Sequence, residues 1–167
     1  MSKQELSDGV WYDPEGTGYI MLDTTAVIPP QEPRMIDGVR LLPKDEYHCS
    51  LVAARKLADG DRDLEARIVK DTVEYLRTHT VGFVGMTGNY YLCQKTNDDG
   101  EIEKTIIGGV EIRGIEGLRA ILRRRTPEYQ PPFPHVTLLK SANSLYGIGV
   151  NSEESLRAYC TRLENYN

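Results

Sequence analysis

Two segments of the chain place a hydroxyl residue two positions after a histidine: Tyr47-His48-Cys49-Ser50-Leu51 and Pro134-His135-Val136-Thr137-Leu138. In a β-strand, residues i and i+2 point to the same face, so His48 is expected beside Ser50 and His135 beside Thr137. Such a pair can carry a proton at neutral pH on the imidazole and donate from the hydroxyl to a phosphate oxygen. Two copies supply two proton carriers and two donors, the groups that acid–base cleavage of a phosphodiester needs. Cys49 and Leu51, like Val136 and Leu138, alternate to the opposite face and read as core. The same alternation turns Cys49 away from His48, which argues against a Cys–His nucleophile. His79, at the end of a charged helical stretch, reads as a surface or helix-capping residue. The two remaining histidines are too few for a mononuclear zinc site. Cys49, Cys93 and Cys160 have no CxxC spacing and are expected as buried free thiols rather than as a disulfide framework.

These motifs must be held by elements whose signals run along the rest of the chain. Residues 18–27 are β-prone and stop at Pro29-Pro30, and residues 1–17 before them read as a mobile or edge-lying arm. Residues 47–52 form a short strand. Leu64, Ile68, Thr72 or Val73, and Leu76 recur at helical spacing behind an Asp-rich start, predicting a helix from Asp61 to Arg77. Residues 81–84, 89–94 and 102–112 read as an antiparallel meander, with Asn97-Asp98-Asp99-Gly100 as a hairpin turn. Ile115, Leu118, Ile121 and Leu122 mark a second helix that ends in Arg123-Arg124-Arg125. A proline-rich loop leads to the strand 135–139, residues 146–150 make another strand, and Ser152 caps a last helix. The mixture of helices and hairpins without a βαβ rhythm gives an α+β class in one domain, 1–167.

Charge restricts the ligand. The chain has 20 Lys and Arg against 25 Asp and Glu, a net charge of −5 over 167 residues. Four basic and nine acidic residues fall before His48, and the remainder is balanced. A general binder of long duplex nucleic acid is therefore not expected, and any anion must be met locally. No apolar run reaches the roughly 18 to 20 residues that span a bilayer, and the first residues lack a signal-peptide pattern, so a cytoplasmic protein without membrane partners is expected.

The paired His-x-Ser/Thr motifs, 87 residues apart from His48 to His135, resemble those of the two-histidine phosphoesterase superfamily. That family includes RNA 2′,3′-cyclic phosphodiesterases, RNA 2′,5′-ligases and viral enzymes that destroy cyclic oligonucleotide signals. The resemblance implies a bilobal fold in which two antiparallel sheets flank a central cleft, with helices outside. It also implies catalysis by His48, Ser50, His135 and Thr137 without a metal or other cofactor. The implied substrate is a 2′,3′-cyclic phosphate, a 2′,5′-linked nucleotide, or a short or cyclic oligonucleotide. Lys140 stands near where many RNA-processing members carry an arginine, which keeps the charge but not the bidentate clamp. Tyr129, Phe133 and Tyr146 are the aromatic candidates for holding a base, and Lys140, with Arg55 and Lys56 behind it, for touching phosphate. A nucleotide-binding or regulatory module that kept the cleft and lost turnover is the alternative.

Overall fold

The computed structural model describes residues 3–144 and 147–166. Among them are ten strands and four helices: β1 Gln4–Ser7, β2 Val10–Tyr12, β3 Ile20–Asp23, β4 Arg34–Ile36, β5 Val39–Pro43, β6 His48–Val52, α1 Ala54–Ala58, α2 Arg62–Leu76, β7 Gly82–Thr96, β8 Ile102–Arg113, α3 Glu116–Arg125, β9 His135–Ser141, α4 Glu153–Tyr159 and β10 Cys160–Leu163. The class is α+β. Local chemistry sets most of these boundaries. The Asp61 side chain accepts from the backbone N–H groups of Asp63 and Leu64, both at 3.0 Å, and so starts α2. The β7–β8 turn closes on Asn97, whose Oδ1 accepts from Asp99 N and Glu101 N, while Gly100 takes φ +79°. Past the end of α2, the His79 ring stacks on Tyr75 with centroids 4.2 Å apart and leans on the Tyr75 carbonyl, the capping place its position suggested.

The strands form one connected sheet in the order β1-β2-β3-β6-β9-β8-β7-β10, and β4 pairs with β5, which lies along the C-terminal half of β9. Every pairing described is antiparallel. Where two sheets were expected, the halves are continuous, and the join is narrow: among the described residues β6 meets β9 through Cys49 opposite Val136. One apolar cluster lies beneath α2 and α3, with Ile20, Val52, Ile68, Leu118 and Leu122 all fully buried. A second, around Cys49, Val136, Leu138 and Ile106, fills the same face of the sheet under the loops between β3 and β6. Tyr12 on β2 and Arg55 on α1 both hydrogen-bond the buried Glu65 of α2, tying the edge strands to the helices.

Several local expectations are corrected. The stretch before residue 18 does lie along the edge, one of the two placements expected of it, but as two paired strands, with Val10 and Tyr12 buried in the helix-side core. The first strand is shorter than 18–27, as the chain turns after Asp23 and Val27 N and Ile28 N donate to Thr24 O. Residues 82–84 and 89–94 belong to one long strand, β7, with register shifts between Phe83 and Gly85 and between Met86 and Tyr90. Residues 147–150 are not a strand: Gly147 has φ +84°, the Ile148 N–H goes to Thr105 Oγ1, and Ile148 and Val150 plug an apolar pocket. Their β-branched character serves burial, not a ladder. Cys93 and Cys160 are not free thiols but a disulfide across β7 and β10, where they are cross-strand partners. A separation of 67 residues carries no local signal of that contact. Cys49 is the free, buried thiol that was expected. No helix among the described residues is long and apolar enough to cross a membrane.

Leu118 has no exposed surface at the centre of the helix-side core, whereas Met35 is 63% exposed on the β4 edge. Leu118→Ala should therefore lower unfolding stability by roughly 2–5 kcal/mol and Met35→Ala by less than about 0.5, read from urea titrations. Equal losses would refute this placement of the core.

Candidate active site

The antiparallel pairing of Cys49 with Val136 determines what stands over the sheet. One step along the ladder in either direction, Ser50 faces His135 and His48 faces Thr137. Since Cys49 and Val136 point into the core, these four side chains share the other face. The register continues outward on both sides. Trp11, Met21 and Ser50 form one row that runs on through His135 to Gly109. Asp23 and His48 form the next, running through Thr137 and Ile107 to Tyr91. The two motifs thus meet head to tail, each imidazole beside the other motif's hydroxyl.

The imidazoles are not equivalent. His135 is nearly buried, and its Nδ1 lies 2.6 Å from the Phe133 carbonyl oxygen. A carbonyl only accepts, so Nδ1 carries the hydrogen and Nε2 is left with a lone pair. His48 is only partly buried, and its ring makes no hydrogen bond among the described residues. Burial, then the charges of Lys44, Lys3 and His135, push its pKa down to about 4, with Asp23 opposing. Burial also lowers the pKa of His135, and Lys44 adds to that, against the Phe133 bond. Both rings are neutral at pH 7 in the free protein. Ser50 and Thr137 are partly exposed, and neither hydroxyl has a protein partner among the described residues.

Lys44 is a candidate site residue that the sequence did not single out. It follows β5 and precedes β6, the two strands that share one edge of β9. Burial lowers its pKa, and Lys140 and Lys3 lower it further. No salt bridge neutralises its ammonium among the described residues. A half-buried cation felt by both imidazoles marks a place for an anion. Its spacing from either motif gave no signal, because the contact depends on β5 and β6 flanking the same strand.

The other candidates separate. Phe133 stands by the site, stacked near the His135 ring at 6.1 Å and edge-on to Tyr91 at 5.7 Å. Across the ladder from His135, Gly109 admits the close approach of Thr87, whose Oγ1 a Cβ there would meet at 2.7 Å. Lys140 belongs to the lysine group but donates to the Ser144 carbonyl at 2.7 Å. Tyr129 is buried with Leu118 and Leu122 in the helix-side core, and Tyr146 lies outside the described residues. Arg55 is engaged by the carbonyls of Pro14 and Gly16 and by Glu65, so it braces the β2–β3 loop instead of meeting phosphate. Lys56 is exposed on α1. Arg125 pairs with Asp71, and Arg123 and Arg124 are exposed at the end of α3, a solvated helix face. No group of three or more His, Cys, Asp or Glu among the described residues is arranged to hold a metal. No protein-family model, no curated protein and no solved structure matches this chain.

Because folding lowers the His48 pKa from 6.5 to about 4, the folded state binds fewer protons than the unfolded chain between those values. The stability contributed above pH 6.5 is lost as pH falls toward 4, by at most about 3 kcal/mol from this residue. His48→Gln, which cannot titrate, should flatten the fall in urea midpoint between pH 6.5 and 4. Lys44→Met should raise the His48 pKa seen by NMR. An unchanged titration in Lys44→Met would remove Lys44 from the site.

Proposed function

We propose that the chain is a two-histidine phosphodiesterase acting on a 2′,3′-cyclic phosphate, a 2′,5′-linked nucleotide, or a short or cyclic oligonucleotide, without a metal. The observation that carries this is the pairing of Cys49 with Val136, which sets two imidazoles and two unpartnered hydroxyls on one face. The narrow β6–β9 join also supports reading the sheet as two lobes, each contributing one motif to the groove between them. The lysine group around Lys44 supplies the charge that a phosphate needs in an acidic chain.

For a cyclic phosphate, a water oxygen bonds to phosphorus while the neutral His135 Nε2 takes the water proton. The bond from phosphorus to one ribose oxygen breaks, and His48 as imidazolium returns a proton to that oxygen, giving a monoester. Ser50 and Thr137 donate to the nonbridging oxygens as their charge grows. His135 suits the base because its Nδ1–H is held by a carbonyl. His48 suits the acid because it is less buried and has Asp23 nearby, so an arriving phosphodiester monoanion can raise its depressed pKa. For a linkage with a free 2′-hydroxyl, the base takes that proton instead, and the roles exchange in the hydrolysis that follows.

Incubation in EDTA with 2′,3′-cyclic nucleotides and with 2′,5′-linked and cyclic oligonucleotides should reveal turnover. His48→Ala and His135→Ala should each lose about 10²- to 10⁴-fold or more, and Ser50→Ala and Thr137→Val roughly 10- to 10³-fold, with Thr137→Ser largely active. Because the free enzyme must gain a proton that the bound phosphate helps to hold, kcat/KM should peak at lower pH than kcat. Activity that EDTA abolishes and a divalent ion restores would reject the mechanism. Binding without turnover of any of these substrates would assign the regulatory-module reading instead.

A further inference from the structure

On the site face, a cavity of about 380 Å³ opens directly beside His48 and runs outward over β3 toward the N-terminal edge strands. Its floor is apolar, with Trp11 on β2 and Met21 on β3 as cross-strand partners. Its rim is charged, with Asp23, Glu46 and Lys3. The indole lies two strands from β6, roughly 10 Å across the sheet, with the cavity in between. An aromatic plane that shares one cavity with a phosphate-facing imidazole is what a nucleoside attached to that phosphate requires.

The rim favours one base. Glu46 Oε2 accepts from Lys3 Nζ at 3.3 Å, and no partner for Oε1 appears among the described residues. Asp23 Oδ1 accepts from Thr25 N at 2.9 Å, which fixes the side chain and leaves Oδ2 open. An ammonium beside a carboxylate matches an edge that shows one acceptor followed by donors. Guanine presents O6, N1–H and N2–H in that order, an acceptor for the Lys3 ammonium followed by two donors for the carboxylate oxygens that stand open, Glu46 Oε1 and Asp23 Oδ2. Adenine and cytosine offer one exocyclic amino group next to acceptors, and uracil a single N–H.

We propose that the Trp11 cavity is a nucleobase subsite selective for guanine, so that the guanosine of the substrate lies on the His48 side of the scissile phosphate. The subsite rests on the phosphodiesterase reading of the histidines and adds a substrate preference to it. No sequence signal marked it, because Trp11 stood in a segment read as an arm.

Trp11 is the chain's one tryptophan, so its fluorescence reports the subsite directly. The test titrates the full-length His135→Ala protein, which holds ligand uncleaved, with the 2′,3′-cyclic phosphates of guanosine, adenosine, cytidine and uridine, and with inorganic phosphate. Guanosine cyclic phosphate should quench at a concentration roughly 5- to 150-fold lower than the other three. Inorganic phosphate should not quench. Glu46→Gln and Asp23→Asn should each reduce the preference. Trp11→Ala should weaken guanosine binding by calorimetry roughly 5- to 150-fold, with Trp11→Phe intermediate. Equal quenching by all four nucleotides, or a preference that survives in both carboxylate variants, would overturn the subsite. Cleavage of all four cyclic phosphates with equal KM and no quenching would overturn the subsite and leave the phosphodiesterase standing. Selective quenching by guanosine with no turnover in the unmodified protein would keep the subsite and reject the phosphodiesterase.

Discussion

The structure depends on a single cross-strand pair, Cys49 with Val136, at the place where β6 meets β9. Both side chains are fully buried, and their burial fixes the register on which every residue above them depends. A slip by one residue would turn His48, Ser50, His135 and Thr137 into the core and bring Cys49 and Val136 to the surface. The energetic cost of burying four polar groups without partners makes that alternative steep. The apolar residue between histidine and hydroxyl in each motif is thus as much part of the site as the residues that face the groove.

How much of this was legible in the sequence follows from the range of each signal. Local signals held: the Asp61 cap, the Asn97 turn, the stripe of α2 and the alternation through both histidine segments all act within a few residues. The α+β class followed from them. What failed needed distant partners. The β1 and β2 strands are short and gain their order by pairing with β3 and by burying Val10 and Tyr12 against the helices. The Cys93–Cys160 bond, Lys44 beside the imidazoles and Trp11 beside His48 are all products of strand order. Tyr129 was drawn toward the site by sequence proximity to His135, yet the loop carries it into the helix-side core.

Electrostatics follow the same logic of placement. An acidic chain gathers Lys3, Lys44 and Lys140 beside the site, and burial first, then Lys44, keeps both imidazoles neutral. The groove is therefore more positive than its histidines alone would make it, while His135 Nε2 keeps a lone pair. On the proposed function, an anion entering there would relieve repulsion between like charges and raise the His48 pKa in the same event.

The buried Cys49 has a use beyond packing. It lies under the β6–β9 join with no exposed surface, burial pushes its thiol up to about 12, and the other two cysteines are bonded to each other. A thiol so placed is inert to alkylation while the join is closed and becomes reactive only when the two strands part. The molecule therefore carries its own clock at the one ladder step on which the groove depends: the rate at which Cys49 is labelled counts how often that step comes undone.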